Sequence, residues 1–267
     1  MVDKLHRINL PINVAGFNKD SYGYHHDIYK IRDINNNYYI LKYAEKNIDS
    51  VNKLRTEKNA IHELRKTKLK QHIPKLKHDK LGVKNGYLLY RYYDGKMLNL
   101  SNNKYVINFI KNLAKFLNNL HNLKIPSKYN NWVHESPTFD KWLNEFKLET
   151  INLISQDKKY DNYINLVENN IQDIKNNNKL NLSFIHNDIK LSNIIYDSKG
   201  NINKIVDWED LIVLDPAYEI AQIETVIFNL YHVFTNYTHN KTIKLFRDEY
   251  GMSKKFRNRI DAYKPIY

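Results

Sequence analysis

The stretch from 182 to 209 constrains this chain more than any other part of it. Three short apolar runs, Leu182–His186, Ile194–Tyr196 and Ile202–Val206, alternate there with polar residues at fixed spacing. The first run opens into His186-Asn187-Asp188-Ile189-Lys190-Leu191-Ser192-Asn193, an H-x-D-x-x-x-x-N pattern. The second and third are joined by the turn sequence Asp197-Ser198-Lys199-Gly200, and the third ends in Asp207-Trp208-Glu209. That order predicts a hairpin that carries Asp207 back beside the loop holding Asp188 and Asn193. A carboxylate at the start of such a loop can accept the proton of a hydroxyl. An asparagine carbonyl and a second carboxylate are hard oxygen ligands of the kind Mg²⁺ requires. Asp188 is therefore the candidate catalytic residue, and Asn193 and Asp207 are the candidate metal ligands. His186, Lys190 and Glu209 are supporting candidates.

Upstream, Asp27–Arg32 and Tyr38–Tyr43 read as two strands around an Asn35-Asn36-Asn37 turn. Lys84-Asn85-Gly86 is a second turn signal, followed by Tyr87-Leu88-Leu89-Tyr90. Between them, Val51, Leu54, Ile61 and Leu64 recur at helical spacing. The first 90 residues thus read strand–strand–helix–strand–strand. Lys42 interrupts an otherwise apolar strand, and a helix carboxylate 15 residues on, Glu57, is its candidate partner; Glu63 is the less favoured one. Lys42 and Glu57 are the nucleotide-binding candidates.

Past Gly95 the pattern becomes helical. Ser101 is a candidate N-cap for a stripe of Val106, Phe109, Ile110, Leu113, Phe116, Leu117 and Leu120. Further helices are expected at about 139–155, 161–176 and 216–235, the last started by Asp215-Pro216. The expected fold is α+β and bilobal. A small antiparallel-sheet lobe with one helix (1–90) is joined by a link at 91–95 to a larger, mostly helical lobe (96–267).

Composition narrows the function classes. Without a cysteine, thiolate catalysis, disulfides and Cys-ligated metals are excluded. Forty-two Lys+Arg against 29 Asp+Glu give a net charge of +13. That charge raises a basic nucleic-acid-binding protein as the rival reading. The lysines are spread along the chain, however, and Asn, Ile and Tyr are abundant too, as codon bias in an AT-rich genome would produce. No nucleic-acid partner is expected. No apolar run approaches the roughly 18 residues a membrane span requires, and the N-terminal residues have no signal-peptide core. A cytoplasmic protein is expected.

With HNDIKLSN (186–193), IVDWE (205–209) and DPAYEIA (215–221) in view, the chain resembles the protein-kinase-like small-molecule kinases. That superfamily comprises aminoglycoside phosphotransferases and choline/ethanolamine kinases. Lys42 and LLYRYYDG (88–95), which looks like the interlobe hinge, extend the resemblance more loosely. His-Asn-Asp and Asp-Trp-Glu look closest to choline-kinase-type members, and no Ala-Pro-Glu segment follows Asp207. The resemblance implies transfer of the γ-phosphoryl group of ATP, with GTP kept open as donor, to a small-molecule hydroxyl in the presence of Mg²⁺. Choline or a related amino alcohol is the implied acceptor, with aminoglycosides or sugars as the alternative. Because Lys42, Asp188, Asn193 and Asp207 are all present, a silent pseudokinase is disfavoured. Acceptor candidates are Tyr218 and Glu224, with Trp132, Trp142 and Tyr231 as further aromatics able to face a cation. Three departures stand out. Ala15–Gly23, in the place of the nucleotide loop, is not glycine-rich. Lys190 is more usual in protein kinases. Glu219 replaces the aspartate of the third motif, either keeping a structural hydrogen bond or altering acceptor contacts.

Overall fold

Asp33 organises the Asn35–Asn37 turn. Its carboxylate accepts from the backbone N–H of Asn35 (2.9 Å) and Asn37 (2.8 Å) and from the Tyr39 hydroxyl (3.1 Å). Asn36, at φ 61°, takes the left-handed position that asparagine tolerates. In this computed structural model, which describes residues 10–22, 26–45, 47–95, 102–129, 138–176, 181–228 and 239–264, the turn joins β2 (Asp27–Asp33) to β3 (Tyr38–Ala44). Helix α1 (Ile48–Leu64) follows, its free N–H groups capped by the Asn47 side chain. Strands β4 (Leu76–Leu81) and β5 (Gly86–Arg91) complete the lobe.

One strand was not foreseen. Val14–Tyr22 is β1, pairing antiparallel with β2 at the edge of a five-stranded sheet of order β1-β2-β3-β5-β4. The segment read as a nucleotide loop is therefore strand up to Tyr22, and Gly23 lies outside the described residues. Asn18-Lys19-Asp20-Ser21 carries no apolar alternation, because an edge strand need not present a hydrophobic face on both sides. One face of the sheet holds a small core of Tyr29, Ile31, Leu41, Tyr87 and Leu89. Leu88 and Tyr90 join the main core with Val51, Leu54, Ile61 and Leu64 of α1.

The helical half begins with α2 (Asn103–His121), whose predicted stripe is buried. Its cap is Asn102, which accepts from the Lys104 N–H; Ser101 lies outside the described residues. Next come α3 (Phe139–Ile154) and α4 (Asn162–Asn176), close to the expected spans. Strand β6 (Ser183–Ile185) pairs with β9 (Ile212–Leu214), and β7 (Ile194–Tyr196) with β8 (Ile202–Ile205). Helix α5 (Pro216–Gln222) starts at the Asp215 cap and continues as a π-helical turn, Ile223–Ile227. The expected extension to 235 runs into residues outside the description. Strand β9 and helices α6 (His239–Tyr250) and α7 (Lys254–Tyr263) were not foreseen. In the helices, Phe246, Ile260 and Tyr263 are fully buried but isolated among lysines and arginines, so no apolar period announces them. Among the described residues, no helix is long and apolar enough to cross a membrane.

The β7–β8 turn is pressed onto α2. Asp197 accepts from Lys199 and Asn201 backbone N–H groups, and Gly200 adopts φ 80°. A Cβ at Gly200 would lie 2.3 Å from the Tyr105 carbonyl oxygen. Gly200→Ala therefore combines a left-handed backbone with a clash. It is expected to destabilise the protein by about 2 kcal/mol or more, read as a lower denaturant midpoint. An unchanged midpoint would show that the turn does not sit against α2.

Candidate active site

The site is assembled from both halves of the chain. Register places Lys42 opposite Ile28 and Leu88, on the face of the sheet turned to α1. Its ammonium lies 2.8 Å from Glu57 Oε2, 2.5 Å from Asp207 Oδ1 and 3.2 Å from Glu209 Oε2. Glu63, the less favoured partner, instead pairs with Lys66 and Lys128 at the surface. Burial alone would lower the Lys42 ammonium, but Glu57, Asp207 and Glu209 hold it well above its ordinary range. Burial also pushes Glu57 up, against the pull of Lys42. Glu209 goes the other way: His26 and Lys42 outweigh burial and hold it at about 2. These three carboxylates converge closely enough to suit a cation, and the cation they share here is the Lys42 ammonium.

The loop after β6 is held from behind. His186 is fully buried; its Nε2 donates to the Val206 carbonyl (2.9 Å) and its Nδ1 accepts from the Asp188 backbone N–H (3.3 Å). The ring lies 4.4 Å from that of Trp208, whose Nε1 donates to the Ile205 carbonyl. Asn187, at φ 66°, donates its backbone N–H to Glu219 Oε1 (2.8 Å). Glu219, also fully buried, meets His121 Nε2 through its other oxygen at 2.7 Å. Of the two readings of Glu219, the structural hydrogen bond is the one observed.

The loop presents Asp188 on the open side. Lys190 Nζ (2.7 Å) and Asn193 Nδ2 (2.9 Å) both reach Asp188 Oδ2. Asn193 Nδ2 also donates to the Asp188 carbonyl, at 2.9 Å. Both amide hydrogens of Asn193 are thus spent on Asp188, and its Oδ1 remains as the acceptor atom. Asp207 follows β8 in a left-handed conformation, φ 70° and ψ 57°, which turns its side chain out of the strand direction. Lys42, Glu57, Asp188, Asn193, Asp207 and Glu209 all line one cavity of about 780 Å³ between the sheet and the β7–β8 hairpin. Asn193 Oδ1 and the Asp207 carboxylate offer two hard oxygens on its wall, a donor set that fits Mg²⁺. Tyr90, just before the segment read as a hinge, and Tyr92, within it, line the same cavity.

The acceptor candidates fare differently. Glu224 is fully buried and receives two bonds from Arg247, at 2.7 and 2.8 Å, and one ion pair from Lys264, at 2.6 Å. It is therefore withdrawn from the acceptor site, since its charge is already matched inside the helical half. Tyr218 packs edge-on against Trp142 (5.2 Å), Phe146 (5.5 Å) and Tyr263 (5.6 Å). Trp132 and Tyr231 lie outside the described residues. Sequence reasoning missed His26, which reaches Glu209, and the ion pair between Lys53 of α1 and Asp210. Neither sits in a recognisable pattern; proximity after folding is their signal.

Solved structures share this fold along nearly the whole chain. The gentamicin–APH(2'')-IIa complex is 16% identical over 98% of this chain and 85% of that one, with a TM-score of 0.71. An aminoglycoside phosphotransferase APH(3'')-Id from Streptomyces rimosus, in complex with ADP and streptomycin, is 15% identical over 100% and 98%, with a TM-score of 0.67. Macrolide 2'-phosphotransferase MphH from Brachybacterium faecium is 10% identical over 97% and 86%, with a TM-score of 0.69. At these identities the likeness is one of fold: an antiparallel-sheet lobe and a helical lobe in the protein-kinase-like arrangement. None of the curated proteins compared matches the chain. The model of the phosphotransferase enzyme family matches residues 18–228, and the chain belongs to that family.

Proposed function

We propose that this protein transfers the γ-phosphoryl group of a nucleoside triphosphate to the hydroxyl of a small, amine-bearing molecule. The observation that carries the proposal is the convergence of the Lys42–Glu57 pair, Asp188, Asn193 and Asp207 on one cavity, although they come from opposite halves of the chain. In this reading 1–90 is the nucleotide lobe, 91–95 the hinge and 96–267 the catalytic lobe. Lys42, aimed by Glu57, holds the α- and β-phosphates. Asp188 orients the acceptor hydroxyl and takes its proton at Oδ1, because Oδ2 is occupied by Lys190 and Asn193. Asn193 Oδ1 and Asp207 would hold Mg²⁺, which when bound neutralises phosphate charge. His186 and Glu219 keep the loop in register for that transfer, and Lys190 shields Asp188 from the incoming phosphates.

The acceptor reading we favour is choline or a related amino alcohol, supported by the His-Asn-Asp and Asp-Trp-Glu motifs. Aminoglycosides are the second reading, favoured by the neighbours whose bound ligands are gentamicin and streptomycin. A screen of ATP consumption with Mg²⁺ over choline, ethanolamine, aminoglycosides and simple sugars separates the two. Consumption with none of them would overturn the phosphotransfer reading. If choline is turned over, its uncharged isostere 3,3-dimethylbutan-1-ol keeps the hydroxyl and the shape but loses the cation. Losing a cation–π site of roughly 0.5–2 kcal/mol should then lower kcat/KM about several-fold, through KM. Equal turnover of the two compounds would remove the cation site.

A further inference from the structure

His26 precedes β2 and is 5% exposed. Its Nδ1 lies 3.0 Å from Glu209 Oε2 and its Nε2 lies 2.8 Å from the Ser50 carbonyl oxygen, in the first turn of α1. A backbone carbonyl can only accept, so Nε2 donates to Ser50, and Nδ1 faces a carboxylate oxygen that likewise can only accept. The buried ring therefore bridges the start of α1 to Glu209. His186 contrasts with it, since one of its ring nitrogens donates and the other accepts.

The bridge matters because of what Lys42 has to do. Lys42 faces three carboxylates, Glu57, Asp207 and Glu209, and holding phosphates requires it to release two of them while keeping Glu57. Asp207 has a second use at the metal. Among the described residues Glu209 meets His26 as well as Lys42, and both approach the same oxygen, Oε2. Building on the phosphotransfer reading, we infer that His26 is a positioning residue. It retains Glu209 when Lys42 turns to the nucleotide, and it ties the 207–210 turn to the first turn of α1. Lys53 and Asp210 reinforce the same junction one turn further along the helix. Without the His26 ring, Lys42 would be the counter-charge left to Glu209 among the described residues, and Glu209 would compete directly with the phosphates.

The test begins with ADP affinity by calorimetry. His26→Phe fills the ring's volume with no donor and should weaken ADP binding about tenfold, the scale of a hydrogen bond to a charged group. In turnover assays KM for ATP should rise while kcat changes far less. His26→Asn returns an N–H near the Nδ1 position and should recover most of the affinity. In a Glu209→Ala background, His26→Phe should have no further effect on ADP affinity, because the group it restrains is gone. A folded His26→Phe protein with wild-type ADP affinity would overturn the inference and leave the phosphotransfer reading standing. An equal loss in the Glu209→Ala background would also overturn it. Failure of the wild type to bind ADP at all would overturn the phosphotransfer reading and this inference with it. A further readout needs no mutation: nitrogen NMR of ring-labelled wild-type protein should show both His26 nitrogens protonated. A pyridine-type nitrogen there would remove the double donor on which the bridge depends.

Discussion

Asp207→Asn should abolish measurable turnover, with kcat/KM falling by at least about 10³-fold, since a metal's charge stabilisation is worth several kcal/mol and each 1.4 kcal/mol is a factor of ten. Asparagine is the informative replacement. The backbone here is left-handed, at φ 70°, a conformation that asparagine accepts and alanine does not readily adopt. The replacement's amide oxygen can also still accept from Lys42, so the fold should survive while the negative charge is lost. Calorimetry of Mg·ATP binding should show the loss directly. Asn193→Ala should weaken binding less, because a neutral carbonyl offsets less of the ion's charge. Wild-type Mg·ATP affinity in both variants would remove these residues from the metal site.

Asp188→Asn should lower kcat by about 10²–10⁴-fold, the usual contribution of a positioned acid–base group, with ADP affinity nearly unchanged. The geometry makes the substitution decisive. Two donors, Lys190 and Asn193, converge on Oδ2, so the replacement amide must turn its oxygen toward them. Its NH₂ group then occupies the Oδ1 position and offers hydrogens to the acceptor hydroxyl where an acceptor is needed. Near-wild-type kcat would remove Asp188 from the proton transfer. Loss of ADP binding would mean that it acts on the nucleotide instead.

Much of the fold was legible because it rests on local signals. The Asn35–Asn37 turn, the Lys42 strand, the α2 stripe and the Asp215-Pro216 helix start each follow from residue chemistry within a few positions. What was missed lacks such a signal. Strand β1 is a polar edge strand, and β9 is three residues long and finds its partner, β6, far back in the chain. Helices α6 and α7 bury a few large side chains among many cations. Glu224 misled for the opposite reason: a lone acidic residue among aromatics suggests a ligand, yet Arg247 and Lys264, 23 and 40 residues later, neutralise it.

The residue types of the candidate site, and their order along the chain, were set by the sequence alone: a strand lysine, a helix carboxylate, and an H-x-D-x-x-x-x-N loop answered by Asp-Trp-Glu. Spacing within one loop or hairpin limits where a short chain can reach, so Asp188, Asn193 and Asp207 had to lie close together. Tertiary structure alone decided which charges meet across the lobes. Lys42 and Asp207 are 165 residues apart, and His26 stands 183 residues before Glu209. Their contacts exist because the sheet register, the packing of α1 and the left-handed turn at Asp207 all converge on one buried spot. An ionisable group brought there out of water must find partners in whatever the fold has placed beside it.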